Sequence, residues 1–372
     1  MNATVRIVFI YLLIITSCSA PSFEQSLEVP TDTDDLIGKI DSIAISTMNR
    51  YNVPGLALAV VLKDSVVHLQ GYGQKNIDEP EQVSGTSIYH TASISKLFTA
   101  LTIVHLVDDG RLQLDDRLVN LCPELNYGDQ LATEITIASL LNHTSGLPDV
   151  DDYHWDRNHQ SDDALELALK KVKIQPQNDP LTEYNYSNLG YDILGYVIQQ
   201  LTGQSFEQFL KNSVLMPAGM SSSDFRYHLV PDSLKVTPHT KNWLTRSVEQ
   251  RSVYPYTREH GPSSTLNASA ADLSQWMIYF MENLKTGPLS GAYQQMIRPS
   301  HPDFPYIGLG FQLGTLDGFQ KVGHYGGDQG FRSYLFMIPE RDLGLVLLAN
   351  CDYNEDFRQE ILHPIGSLML SQ

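Results

Sequence analysis

Tyr89-His90-Thr91-Ala92-Ser93-Ile94-Ser95-Lys96-Leu97-Phe98-Thr99-Ala100 sets a serine and a lysine three positions apart, directly ahead of the apolar series Leu97, Leu101, Val104 and Val107. The series has helical spacing and predicts a helix over 94–109, with Ser93 at its N-terminus and Lys96 on the same face one turn on. A serine hydroxyl is a poor nucleophile until a base removes its proton, and a lysine can be that base only if its pKa is lowered. Burial and the positive end of a helix dipole both lower it, and the free N–H groups of a helix start suit an oxyanion. An N-capping serine beside a solvated lysine gives the same spacing, so the pair by itself does not decide the chemistry.

Three later stretches decide it. Leu140-Leu141-Asn142-His143-Thr144-Ser145-Gly146-Leu147-Pro148 reads as a helix end, a polar turn and a proline stop. Tyr186-Ser187-Asn188 opens a second helical series (Tyr191, Leu194, Val197, Ile198), and His324-Tyr325-Gly326-Gly327 follows a strand-like run. In order and setting these stretches resemble the penicillin-recognising serine hydrolases, the family of class C β-lactamases, serine DD-carboxypeptidases and related esterases, from about Ile37 to the C-terminus.

The resemblance implies an acyl-enzyme mechanism without metal or cofactor. Ser93 is then the nucleophile, and Lys96 and Tyr186 carry its proton, the phenol serving as base if lysine charge lowers its pKa. Asn188 accepts from Lys96 and donates its amide to the substrate carbonyl. His324 and Gly326 line the substrate strand, and the Gly327 and Ser93 amides form the oxyanion hole. Tyr325 stands where the family has Thr or Ser. Strand alternation turns it to the opposite face from His324 and Gly326, so the hydroxyl that would bind a substrate carboxylate is missing. Esters and uncharged amides are therefore expected to outrun penicillins. A β-lactamase proper, or a non-catalytic penicillin-binding or sensor protein on the same fold, remain the alternatives.

Outward from the motifs, Gly55–Leu62 and Val66–Tyr72 read as a hairpin around Lys63-Asp64-Ser65, after a helical series from Ile37 to Tyr51. Helical patterns fill 136–142, 163–172, 188–202, 205–214 and 270–284, with long polar loops at 149–162 and 221–265. Strand patterns return at 310–314, 318–324, 330–338 and 343–350, before a last helix, 357–370, that Pro364 should kink. Strands at both chain ends around a helical middle predict one sheet built from both termini with a large helical insertion. The family's architecture, an antiparallel sheet flanked by helices beside an all-helical part, is what the resemblance implies. The expected parts are 37–92 with 305–372 for the sheet, and 93–304 for the helices.

The 25 basic and 43 acidic residues give a net charge of −18, which argues against nucleic acid and against a basic membrane-binding patch. The expected partner is a small-molecule or peptide substrate. An apolar run from Ile7 to Ile15 behind Arg6 reads as a secretory signal over residues 1–20, followed by a polar tether to residue 36. Ile15-Thr16-Ser17-Cys18 resembles a bacterial lipobox, which would anchor the exported protein to an envelope membrane through a lipid on Cys18. Ordinary cleavage after Ala20 is the other reading. Cys122 and Cys351 read as buried free thiols, with a single disulfide as the alternative. Asp149, Asp151, Asp152, His154, Asp156 and His159 lack the spacing of a metal site and read as a solvated loop near the groove.

Overall fold

The computed structural model describes residues 31–157, 160–353 and 356–372. The signal, the lipobox with Cys18, and His159 lie outside them. Helix α1 (Thr31–Tyr51) leads into strands β1 (Gly55–Leu62), β2 (Ser65–Asn76) and β3 (Glu79–Gln82). The C-terminal part supplies β4 (Gln312–Leu316), β5 (Phe319–Asp328), β6 (Phe331–Ile338) and β7 (Leu343–Ala349). All pairings are antiparallel and the strand order is β4-β5-β6-β7-β1-β2-β3, so β1 and β7, from opposite ends of the chain, meet in the middle.

β1 explains its own composition. Leu56, Leu58 and Val60 enter one core with Ile40, Ala44, Phe336, Leu345, Ile361 and Ile365, while Ala57, Ala59 and Val61 enter the other with Trp276 and Met277. A strand covered on both faces has no solvent side to keep polar, hence the unbroken apolar run. The first face is covered by α1 and by the C-terminal helix Phe357–Leu370. That helix continues through Pro364: one ladder bond is lost on its exposed side, while Phe357, Ile361, Ile365 and Met369 stay buried on the other. The second face is covered by Ala270–Lys285, a helix of the insertion, which packs on β1 and β7. The core on this side runs from the sheet into the insertion without a break, across the boundaries expected at 92–93 and 304–305.

Inside the insertion, α2 (Ser95–Asp108) is buried along nearly its whole length and packs against α3 (Asn188–Thr202) and the short helix α4 (Gly261–Ser264). The approach of α3 to α4 is close because residue 195 is glycine: a Cβ there would lie 2.0 Å from Pro262 Cγ. Cys122 and Cys351 are buried free thiols.

Candidate active site

Ser93 lies in a 3-10 turn, Ala92–Ile94, that runs directly into α2. Ala92 takes φ +48°, in the left-handed region that disfavours a side chain. The turn is held on both sides: Ser95 Oγ donates to Ala92 O at 2.7 Å, and Thr91 O accepts from Ser333 Oγ of β6 at 2.7 Å. Ser93 is partly exposed while its neighbours Ala92, Ile94 and Lys96 are buried.

Among the described residues three groups lie within hydrogen-bond reach of the Lys96 amine. Nζ contacts Ser93 Oγ at 3.1 Å and donates to the carbonyl of Ser263 at 2.8 Å and to Asn188 Oδ1. A neutral amine has two hydrogens and one lone pair. Two obligate acceptors take the hydrogens, which leaves the lone pair for the serine hydroxyl. Burial pulls the Lys96 pKa down to about 7, and the carboxylates of Asp192, Asp149 and Asp328 limit the fall. Lys96 thus holds a proton loosely enough to exchange it at neutral pH.

Tyr186 sits two residues before α3, whose N-cap Ser187 accepts from Gly190 N at 3.1 Å. Its hydroxyl donates to Ser93 Oγ at 2.8 Å. The Asn142–Pro148 segment fixes this geometry, as its expected scaffolding part requires. His143 O accepts from Asn185 N at 2.8 Å, His143 Nδ1 accepts from Ser187 N at 3.1 Å, and Pro148 O accepts from Ser187 Oγ at 2.8 Å. The His143 ring lies 4.3 Å from that of Tyr186. One expectation fails here: burial raises the Tyr186 pKa well above the ordinary phenol, and lysine charge does not lower it. The phenol is a hydrogen-bond donor in the resting site, and of the two groups beside Ser93 the amine is the one whose pKa lies near neutrality.

Asn188 also departs from expectation. Its Oδ1 does accept from Lys96, but its Nδ2 also donates to Asp149, at 2.9 Å to Oδ1 and 3.1 Å to Oδ2, so a carboxylate takes at least one of the two N–H bonds expected to face a substrate carbonyl. Asp149 is exposed, as a loop residue near the groove should be, yet its carboxylate also accepts from the backbone N of Asn188 at 2.8 Å. Among the described residues no group of His, Cys, Asp and Glu could hold a metal ion.

The opposite wall is β5. A Cβ on Gly326 would lie 2.3 Å from Thr91 O and 2.0 Å from Ser333 Oγ, so glycine is what lets this strand touch the turn that carries Ser93. β4 stops at Gln312, opposite Gly323, and among the described residues Tyr325 N reaches only the Gln312 side chain at 3.4 Å. By strand alternation the N–H of exposed Gly327 points to the same, unpaired side. His324 is buried, 6.1 Å ring to ring from Tyr186, and its Nδ1–H donates to Tyr325 O at 2.5 Å, leaving Nε2 as an acceptor. Burial and the nearby Lys96 push its pKa down to about 3, so it is neutral. Tyr325 is on the other face, stacked on Tyr334 at 3.8 Å with the Arg358 guanidinium 5.0 Å from its ring.

Sequence reasoning missed Asp149 and Ser263. Ser263 acts through its backbone carbonyl, which carries no side-chain signal, and Asp149 lay in a run of aspartates with nothing to single it out.

Known proteins resemble this chain over most of its length. Protein flp of Staphylococcus aureus is 28% identical over 333 residues, 86% of this chain, and the chain spans 64% of that protein's length. Penicillin-binding protein 4 of Amycolatopsis lactamdurans is 27% identical over 342 residues, covering 87% of this chain and 88% of the relative. Among solved structures, the octameric penicillin-binding protein homologue from Pyrococcus abyssi superposes with a TM-score of 0.76 at 24% identity, over 90% of this chain and 78% of its own. A class C β-lactamase gives 0.75 at 19% identity, over 91% and 98%. The sequence profile of the family described as Beta-lactamase matches residues 40–366, and the chain belongs to that family.

Proposed function

We propose that this protein is a serine hydrolase that works through an acyl-enzyme on an ester or amide. The observation that carries the reading is the coordination of Lys96: two fixed acceptors for its hydrogens and the Ser93 hydroxyl at the remaining position, 3.1 Å away. The neutral amine takes the Ser93 proton as Oγ attacks the carbonyl carbon. The Ser93 and Gly327 amides stabilise the oxyanion. The proton passes from Lys96 to the leaving group by way of Tyr186, whose high pKa keeps it a donor, and water releases the acyl group by the reverse route.

Neutral His324 supports substrates without a carboxylate beside the scissile bond, and Tyr325, turned away, offers no hydroxyl there. Simple esters and uncharged amides are the substrates of choice on this reading, ahead of penicillins and of peptides with a free C-terminus. Covalent capture of penicillins is the second reading, favoured by the name of the Amycolatopsis relative. Incubation with a fluorophosphonate or a labelled penicillin, followed by mass spectrometry, tests the mechanism. An adduct on Ser93 that is absent from Ser93→Ala is expected. Labelling that persists in the variant moves the nucleophile elsewhere.

Export and a lipid on Cys18 belong to the same proposal and rest on the signal and lipobox patterns alone. Cys18→Ser is expected to leave the membrane fraction, and unchanged sedimentation with membranes rules that anchor out.

A further inference from the structure

An ion pair is buried behind the Lys96 amine. His260 Nδ1 donates to Asp192 Oδ2 at 2.7 Å, and the two side chains are only 10% and 2% exposed. Among the described residues this is the only bond of the Asp192 carboxylate, whose Oδ1 is buried without a partner. Burial works against a charged imidazole, but the Asp192 carboxylate outweighs it and raises the His260 pKa above the ordinary value. The rings of Tyr153 and Trp155 cover the imidazole edge to face, 4.9 and 5.8 Å away.

The pair joins the two elements that hold Lys96. Asp192 is one turn along α3 from Asn188, on the same helix face. His260 directly precedes α4, three residues before Ser263, and its carbonyl accepts from Ser263 Oγ at 3.3 Å. Asn188 Oδ1 and Ser263 O are the two acceptors that take the hydrogens of Lys96 Nζ. A closed ring of contacts therefore runs from Lys96 through Asn188, α3, Asp192, His260 and α4 back to Lys96. Packing of Pro262 on Gly195 brings α4 close to α3, but apolar contact has no direction, whereas a charge-assisted hydrogen bond does.

We infer that the Asp192–His260 pair is a positioning device for Lys96: it fixes α4 on α3 so that both acceptors stay on the amine, and its imidazolium offsets the charge of a carboxylate buried near that amine. The inference rests on the serine-hydrolase reading above and adds to it two residues that act through Lys96. Burial lowers the Lys96 pKa, and of the carboxylates that oppose this, Asp192, Asp149 and Asp328, the first acts most strongly. With its imidazolium removed, Asp192 would hold Lys96 protonated and unable to accept from Ser93. The His143 and His324 rings that also face the amine are neutral, and the carboxylates that face the His260 ring besides Asp192 are those of Glu259 and Asp328.

The test reads protonation and rate separately. In proton NMR of Ser93→Ala between pH 5 and 9, one imidazole should titrate above about 6.5, the unperturbed value, and its signal should be missing once His260→Asn is added. Rates are measured on an uncharged ester with Ser93 in place. His260→Asn keeps a donor near the Nδ1 position without the charge, so the acid limb of the pH profile should move up by about one pH unit. Asp192→Asn removes the carboxylate, and the limb should move down by about as much. His260→Ala removes the tie itself and should lower kcat about ten- to hundred-fold with KM within about threefold, a loss that His260→Asn largely restores. Circular dichroism checks the fold of each variant, and where His260→Ala does not fold, the opposed shifts of the two Asn variants decide. Limbs that stay in place or move the same way in folded variants overturn the inference and leave the hydrolase intact, as does a His260 ring that titrates at or below the ordinary value. If the wild type neither hydrolyses the ester nor takes a fluorophosphonate on Ser93, the hydrolase reading falls and this inference with it.

Discussion

The two walls of the groove are made by different means. On the helical wall, Ser93, Lys96, Tyr186 and Asn188 are side chains bonded to one another and to Asp149 and Ser263, so removing one leaves others unsatisfied. On the strand wall, Gly326 and Gly327 contribute no side chain, His324 is uncharged, and Tyr325 faces away. The helical wall therefore sets protonation and the strand wall sets distance. Substitutions on the first should act through pH-dependent chemistry, and those on the second through geometry.

The largest effect should follow Lys96→Ala, which removes the proposed base: a loss of about three to four orders of magnitude in kcat/KM, measured on any ester the wild type accepts. The wild-type rate on an uncharged ester should rise as pH passes about 7, because Lys96 must lose its proton to act and burial has brought its pKa there. A rate that is flat from pH 5 to 9 would break the contrast, since the helical wall would then not govern protonation.

Tyr186→Phe comes next. A phenol that donates a hydrogen bond and relays a proton is worth roughly two to three orders of magnitude, less than the base itself. The acid limb of the pH profile should stay in place, because Tyr186 does not titrate near neutrality. Disappearance of that limb in the variant would return the base to the tyrosine.

Gly326→Ala probes the strand wall. Its Cβ cannot fit between Thr91 O and Ser333 Oγ, so β5 must move off the turn that carries Ser93. A rate loss of about ten- to hundred-fold with no displacement of the acid limb is expected, with a stability cost of about 1–3 kcal/mol by thermal unfolding. A displaced limb would show that the two walls are coupled.

Tyr325→Thr should have the smallest effect on catalysis, within about threefold on esters and penicillins alike. The new hydroxyl points to the α1 side of the sheet, where the lost stacking on Tyr334 and Arg358 costs about 1–3 kcal/mol. A large gain on penicillins would mean that the strand turns its other face to the substrate.

Local pattern determined much of this molecule in advance. Helical spacing behind Ser93 and Asn188 located α2 and α3, and α3 begins and ends at the expected 188 and 202. The period-two alternation of β5 put His324 and Tyr325 on opposite faces before any neighbour was known. These features depend on residues within a few positions of one another. What tertiary structure alone decided is the charge state and aim of the groups in the site. Lys96 is near neutrality because α2 is buried under α3 and α4, Ser263 O lies against it because Gly195 lets Pro262 close in, and the Asn188 amide donates to a carboxylate 39 positions earlier in the chain. Desolvation and hydrogen-bond partnership come from groups distant in sequence, and no spacing of residue types encodes them.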